Sequence, residues 1–405
     1  MNDDSTLLVL NAGSSSLKFC VYQVADAAAW RLKARGQIAG IGGSPRFCAT
    51  DAAGDALDGW TPETDVHDAA SALDALASWL RGRFHGARVA GVGHRVVHGG
   101  ATYGAPTLVT PRVVDDLRAL VPLAPLHQPH NLAAIEAVFD RLPGVPQVAC
   151  FDTSFHRGHK AVAQVVPLPL EMRQAGLQRY GFHGLSYEYV ASVLSHAAPE
   201  IASKRVIVAH LGSGASLCAL KNGRSVDTTF GFTALDGLCM GTRPGALDPG
   251  VVLHLIQALG LSATEVEKML YQRSGLLGIS GISPDMRQLL RSDAPGARLA
   301  IDYFVYRCAR EIGSLTAVLR GIDGLVFTAG IGERSATIRE RICEASSWLG
   351  IDLDRNANAT HALWISSRTS RVVVCVIPTN EELMIARHTG QLLGLLERDH
   401  VLATL

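Results

Sequence analysis

Two widely separated segments of this chain carry the same local plan: an apolar run, a turn of small residues, and a second β-prone run. Near the N-terminus, Thr6-Leu7-Leu8-Val9-Leu10 leads into Asn11-Ala12-Gly13-Ser14-Ser15-Ser16-Leu17. In the middle of the chain, an apolar run over residues 206–210 leads into His210-Leu211-Gly212-Ser213-Gly214-Ala215-Ser216-Leu217. Small residues in such a turn let backbone N–H groups and hydroxyls come close to phosphate oxygens. If the echo is a duplication, the chain holds two similar domains facing each other across a cleft, each with a phosphate-binding hairpin. The alternative is coincidence between two tight turns.

Length and composition agree with a large α/β protein. A chain of 405 residues exceeds one ordinary core. With 48% hydrophobic and 18% charged residues it reads as compact, not disordered. Lys plus Arg (37) balances Asp plus Glu (37), so no broad positive field favours nucleic acid or an anionic membrane. A few local arginines can still hold a small anion. Apolar runs are too short to cross a bilayer, and Met1-Asn2-Asp3-Asp4-Ser5 lacks the basic and apolar regions of a signal peptide. The eight cysteines form no CxxC pair and several sit in apolar runs. They read as buried free thiols, and the expected location is cytoplasmic.

Residues 6–10 and 17–24 read as the first hairpin. Further strands are expected over 89–97, 147–151, 206–210, 325–328 and 372–377, with helical patterns between them. Leu73, Leu76 and Leu80 recur at helical spacing. Thr110 before Pro111 is a helix start. Asn131 is expected to cap a helix carrying Leu132, Ile135 and Phe139, and residues 297–319 read as a longer helix. The Gly-, Ala-, Asp- and Pro-rich stretch 38–63 reads as surface loops and edge strands.

Several segments could carry chemistry. Lys18 adds a charge to the first hairpin, although the GKS or GKT ending of a Walker loop is absent. In Gly93-His94-Arg95-Val96-Val97-His98-Gly99-Gly100, the arginine ends an apolar strand and needs an anionic partner, whether a ligand or a structural ion pair. Asp152, after another strand, suits a metal ion, an orienting role or a helix cap. Phe182 and His183 lie between glycines in Tyr180-Gly181-Phe182-His183-Gly184, and Arg243 lies in Gly241-Thr242-Arg243-Pro244-Gly245. Two arginines in glycine-lined turns suit a reaction between two anions, where charge at the reacting centre must be neutralised. Asp285 and Arg287 stand at a helix start. The run from Thr328 to Arg334 takes a strand into a glycine turn and a helix. Glu381 and Glu382 follow a strand and offer carboxylates to a metal. The pairs His127/His130 and His156/His159, with His94 and His98, read as hydrogen-bonded histidines, not zinc ligands.

Taken in order, these segments resemble the acetate kinase family over nearly the whole chain. The resemblance implies a duplicated actin-like ATPase (ribonuclease H-like) α/β fold with two domains around a nucleotide cleft. It places an acid- and phosphate-binding domain at 1–152 plus 383–405, a nucleotide-binding domain at 153–382, and a homodimer. It implies reversible transfer of the γ-phosphoryl group of ATP to acetate, giving acetyl phosphate and ADP, with Mg²⁺ and with Mn²⁺ as a substitute. By position, Asn11 and Glu381 resemble the metal-associated pair and Lys18 a phosphate contact. Arg95 resembles the group that grips the acid's carboxylate, with Val97, Leu126 and Phe182 around the acid's tail. Asp152, His183 and Arg243 resemble the catalytic set. His210, Leu211, Gly212, Ser213 and Gly214 resemble one nucleotide loop. Asp285, Met286 and Arg287 resemble a second, and Gly330, Ile331, Gly332, Glu333 and Arg334 a third.

Some positions depart from the family pattern. Ser213 stands where Asn is usual, Ala234 where Pro is usual, and Tyr187 where His is common. Pro244 and Ala246 replace Ser and Asp, and Arg334 replaces Asn. These departures bear on substrate preference and nucleotide affinity, not on the reaction class. Two rival readings remain: a propionate or butyrate kinase of the same superfamily, and an ATP-driven switch of the actin or chaperone type. The second would need no site for a second anion.

Overall fold

The computed structural model describes residues 5–25, 29–57, 65–84 and 88–395. The N-terminal pentapeptide, apart from Ser5, and the end of the 38–63 stretch lie outside the described residues. The chain divides into two compact units, Met1–Ser154 with Asn380–Leu405, and Phe155–Thr379.

The first unit is built on strands β1 (Ser5–Ala12), β2 (Ser16–Ala25), β3 (Ala29–Ala39), β4 (Arg46–Thr50), β5 (Arg88–Val96), β6 (Thr107–Leu108) and β7 (Gln147–Phe151). They form one sheet in the order β4-β3-β2-β1-β5-β7-β6. β1 pairs antiparallel with β2 and parallel with β5. β2 pairs antiparallel with β3, and β5 pairs parallel with β7.

Alternation along β1 and β2 sends Leu8, Leu10, Leu17, Phe19 and Val21 to one face. There they pack on Leu73, Leu76 and Trp79 of the helix Ala69–Arg83. The opposite face is covered by the helix Glu381–Leu392, which packs on β1, β5 and β7. Gly93 makes that approach feasible, because a Cβ there would stand 2.6 Å from Ile385 Cγ2. The helix therefore belongs to the first unit, with Glu381 and Glu382 at its N-terminal end.

The second unit repeats the arrangement with β8 (Arg205–Leu211), β9 (Ala215–Lys221), β10 (Arg224–Thr228), β11 (Gly324–Thr328) and β12 (Val373–Val376). The order is β10-β9-β8-β11-β12. β8 pairs antiparallel with β9, which pairs antiparallel with β10, and on its other side β8 pairs parallel with β11, which pairs parallel with β12. This is the pattern β3-β2-β1-β5-β7 of the first unit, strand for strand. The sequence echo is thus one hairpin of a repeated five-strand sheet. Tyr187, Val190 and Leu194 of the helix Gly184–Ala197 pack on Val206, Val208, Cys218 and Val326.

Two expectations need correction. Asn131 caps no helix: the helix runs Gln128–Arg141 and Asn131 lies inside it. Its Oδ1 accepts from Val97 N (3.0 Å), and its Nδ2 donates to Ala12 O (3.0 Å). A buried side-chain amide thus joins the ends of β1 and β5, a demand that local sequence does not announce. The cysteines are all free thiols, but Cys48 is exposed, because β4 is the edge strand. Thr110 does cap the helix Pro111–Arg118, accepting from Val113 N. The helix Pro295–Leu319 covers the long pattern at 297–319. Among the described residues, no helix is long and apolar enough to cross a membrane.

At the start of the second sheet, Arg205 and Asp323 lock β8 to the turn before β11. Arg205 Nη2 donates to Asp323 Oδ1 (2.7 Å) and Nε donates to Oδ2 (2.8 Å). The guanidinium holds the Asp323 pKa down at about 2. A depressed carboxylate pKa adds stability that is complete above the unfolded value and is lost as pH falls through the folded one. The stability gap between wild type and Asp323→Asn, read by urea unfolding, should be constant above about pH 5 and close between about pH 4 and 2. A gap that widens on acidification would refute this account.

Candidate functional site

In the first unit, parallel neighbours β1, β5 and β7 end on the same edge of the sheet, where open α/β sheets bind ligands. Asn11 comes from the end of β1, Arg95 from the end of β5, Asp152 from just past β7 and Glu381 from the helix Glu381–Leu392. Arg95 grips Asp152 with two parallel hydrogen bonds, Nε to Oδ1 (3.1 Å) and Nη2 to Oδ2 (2.7 Å). Its Nη1 donates to Asn11 Oδ1 at 3.5 Å, and its Nε lies 3.8 Å from Glu381 Oε2. Lys18 is the cross-strand partner of Asn11, so both side chains share one face of the hairpin. Gly13, Ser14 and Ser15 form the exposed turn.

One guanidinium therefore serves two carboxylates. The Asp152 side chain is 2% exposed and that of Glu381 is 15% exposed. Burial pushes Glu381 up to about 7; Arg95 and Lys18 oppose the shift, while Asp152 and Glu382 add to it. Burial also works against the Arg95 cation, but Asp152 and Glu381 outweigh it and hold its pKa above the ordinary value. The cluster sets two carboxylates against one arginine. Its donors are amide and carboxylate oxygens, the kind that hard divalent cations prefer.

Val97 is buried and held through its backbone by Asn131, and Leu126 is half-buried in the same unit. His94 Nε2 donates to Gln147 Oε1 (2.8 Å), and burial pushes its pKa down to about 4. His98 Nδ1 accepts from Gly100 N (2.8 Å). Both rings are thus tied into the framework. Among the described residues, no group of three or more His, Cys, Asp or Glu could hold a metal ion.

The second unit gathers a different set. His183 is the N-cap of the helix Gly184–Ala197 and sits in the left-handed region (φ 58°, ψ 24°), which a non-glycine residue enters at a cost of roughly 1–3 kcal/mol. Its Nδ1 lies 2.8 Å from Ser216 Oγ, and its ring stacks on His210 with centroids 4.0 Å apart. His210 Nδ1 lies 2.8 Å from Ser186 Oγ. Phe182 is buried edge-on against Phe230. Arg243 Nη1 donates to Ala234 O (2.8 Å). A Cβ on Gly214 would stand 2.8 Å from Arg243 Nη2 and 3.2 Å from His183 Nε2, so a side chain there would press on the point where these groups converge.

The three expected nucleotide loops lie around this point. Gly212 N donates to Gly214 O, and Gly241 N donates to Ser213 O. A Cβ on Gly241 would meet Pro284 O at 3.2 Å, and one on Gly212 would meet Ala329 Cβ at 3.7 Å. Leu211 is fully buried at the end of β8, and Met286 is buried as well. Asp285 caps the helix Met286–Leu290 and pairs with the exposed Arg287 (2.6 Å). The helix Ala329–Arg334 contains Gly330, Ile331, Gly332, Glu333 and Arg334, and it opens on a left-handed Ala329 (φ 63°).

Sequence reasoning missed Arg339. Wholly buried, it donates to Gly332 O (2.9 Å) and Glu333 O (2.8 Å) and so fixes the third loop from behind. An arginine amid Ile338, Ile342 and Cys343 on a helix was the available signal. It also missed the partnership of Tyr187 and Ser216, whose oxygens lie 2.5 Å apart.

Because Asp152 raises the Glu381 pKa, removing its charge must lower it. In Asp152→Asn, the Glu381 titration, followed by carboxyl ¹³C NMR, should move from about 7 toward the ordinary glutamate value. An unchanged or higher midpoint would show that the two carboxylates do not share one arginine as described.

The sequence model of the Acetokinase family matches residues 6–387. An acetate kinase of Nitrobacter hamburgensis is 53% identical over 389 residues, covering 96% of this chain and 96% of its own. The crystal structure of Porphyromonas gingivalis acetate kinase is similar with a TM-score of 0.83 at 36% identity, covering 96% of this chain and 100% of that one. A propionate kinase from Francisella tularensis gives a TM-score of 0.88 at 35% identity, covering 96% and 99%. With these neighbours, the repeated five-strand sheet is the duplicated actin-like fold expected above. A match this long, at this identity, means that the chain belongs to the acetokinase family.

Proposed function

We propose that the protein catalyses reversible, Mg²⁺-dependent transfer of the γ-phosphoryl group of ATP to acetate, giving acetyl phosphate and ADP by direct in-line transfer. The observation that carries the reading is the charge layout of the first unit: one arginine among a buried carboxylate, a half-buried one and an amide. Such a cluster accommodates a divalent cation, and Asn11 and Glu381 would hold it. Bound there, the ion would supply charge neutralisation for phosphate oxygens. Lys18 adds a phosphate contact on the same face as Asn11.

A carboxylate is already a nucleophile, so the reaction needs no strong base. Asp152, engaged by Arg95 through both oxygens, serves to aim the guanidinium. Arg95 takes the acid's carboxylate, and Val97, Leu126 and Phe182 supply apolar surface for its tail. In the second unit the loops at Gly212, Asp285 and Gly330 take the nucleotide. His183 and Arg243 then stabilise charge on the transferring group.

We also assign the protein as a homodimer. The helix Pro249–Gln257 buries no residue, and Val251, Leu253 and Ile256 are 42%, 53% and 38% exposed. An apolar surface of this kind suits a second copy of the chain. Free cysteines suit the reducing cytoplasm.

The test is hydroxylamine trapping of acetyl phosphate from ATP, Mg²⁺ and acetate, with propionate and butyrate in parallel. One methylene is worth only about 1–3 kcal/mol in an apolar pocket, so propionate should react more slowly rather than not at all. EDTA should abolish the signal. Arg243→Ala should lower kcat by about 10²–10³-fold, whereas Arg95→Ala should also raise the KM for the acid. ATP hydrolysis indifferent to any short acid would overturn the kinase reading. In light scattering the protein should run at twice its chain mass, and Leu253→Glu should weaken that association.

A further inference from the structure

His183 can donate a hydrogen bond to a phosphoryl group only from the ring nitrogen that carries its proton. A buried hydroxyl relay behind the ring decides which one that is. Ser216 Oγ lies 2.8 Å from His183 Nδ1 and 2.5 Å from the Tyr187 hydroxyl oxygen. Tyr187 and Ser216 are both fully buried. Burial raises the Tyr187 pKa well above its ordinary value, so the phenol keeps its proton.

The direction of the relay follows from counting protons. Among the described residues, Ser216 Oγ is the one hydrogen-bond partner of the Tyr187 hydroxyl. The Tyr187 ring itself meets the rings of His156 (centroids 5.7 Å apart) and His210 (6.2 Å) at steep angles. An undonated proton on a buried hydroxyl is unfavourable, so Tyr187 O–H donates to Ser216 Oγ. The Ser216 proton cannot point back along the same line and goes to its other partner, His183 Nδ1. That nitrogen then accepts, and the neutral ring carries its hydrogen on Nε2. With Nδ1–H donating to Ser216, one buried proton is always stranded: the phenol's if Ser216 donates to Tyr187, the serine's if Tyr187 also donates to Ser216. An imidazolium would leave the same unmet donor.

We infer that Tyr187 is a positioning residue for the reaction: acting through Ser216, it holds His183 as the neutral Nε2–H tautomer. Nε2 is the nitrogen that lies 3.2 Å from where a Gly214 Cβ would stand, on the side where Arg243 Nη2 also converges. A neutral donor beside a guanidinium adds a hydrogen bond without a second positive charge, and it lets the ring stack on His210 without like-charge repulsion. Tyrosine does this well, because a phenol at neutral pH is always a donor. The inference rests on the reading of His183 as the group that stabilises the transferring phosphoryl.

The test combines a spectrum with kinetics. In ¹⁵N-histidine-labelled protein without substrate, with His183 assigned through His183→Gln, long-range ¹H–¹⁵N correlations should show protonated Nε2 and unprotonated Nδ1. Tyr187→Phe keeps the ring and so the packing, but frees the serine proton. His183 should then populate both tautomers, and kcat should fall about five- to thirtyfold while KM for ATP and the acid move less than about twofold. Ser216→Ala should do the same, and the double variant should be no worse than Ser216→Ala alone.

A wild-type spectrum with protonated Nδ1, or a Tyr187→Phe spectrum with the tautomer unchanged, would overturn the inference. The wild-type spectrum decides even if a variant fails to fold. The tautomer is read without catalysis, so absence of acyl phosphate from every acid would bring down the kinase reading alone.

Discussion

The bidentate pair between Arg95 and Asp152 is the interaction on which the first unit's ligand edge depends. A guanidinium at the end of a buried strand must be paired, because an isolated charge there would lose its hydration without compensation. Asp152 meets it with matched geometry, since β5 and β7 are parallel neighbours that end together. Glu381 then stands 3.8 Å from an arginine already engaged elsewhere. Burial, with Asp152 and Glu382 nearby, pushes its pKa up to about 7 against the pull of Arg95 and Lys18. The framework that permits it is small: a glycine at position 93 lets the helix Glu381–Leu392 settle close to β5, which brings the helix start to the sheet edge.

The second unit solves a different problem with the same sheet. Its strand ends carry imidazole, guanidinium and glycine where the first unit carries carboxylate and amide. Space is the governing constraint here. Gly214 leaves room for His183 and Arg243 to converge, and Gly181, itself at positive φ (92°), admits the ring of His156. The left-handed conformation of His183 is the local expense of aiming its ring, offset by stacking on His210 and by Ser216. Duplication thus supplied two scaffolds of one topology, and their polar side chains diverged at equivalent strand ends.

Much of this was written locally in the chain. Apolar runs ended by polar or Gly-rich stretches marked β1, β2, β5, β7, β8, β11 and β12, whereas β3, β6 and β10 carried no such mark. The echo between Asn11-Ala12-Gly13 and His210-Leu211-Gly212 marked the repeat. Thr110 before Pro111 marked a helix start that the structure keeps. Local signals failed at Asn131, because an asparagine ahead of an apolar helix pattern resembles a cap. Its two hydrogen bonds reach Val97 and Ala12, residues remote in sequence. They failed also at Arg339, whose partners are backbone carbonyls that carry no side-chain signature, and at Cys48, whose exposure depends on β4 being the edge strand.

The sequence by itself determined which residue types end each strand, and through its ordered motifs the family and the reaction class to expect. Those are properties of short segments, set by backbone propensity and by the chemistry of a few side chains. Only tertiary structure decided which charges share a partner. Arg95 is divided between Asp152 and Glu381, burial raises the Glu381 pKa, and Tyr187 reaches His183 through Ser216. Each of these depends on distances of a few ångströms between residues far apart in the chain. Electrostatic and hydrogen-bond energies change steeply over such distances, and no local pattern encodes them.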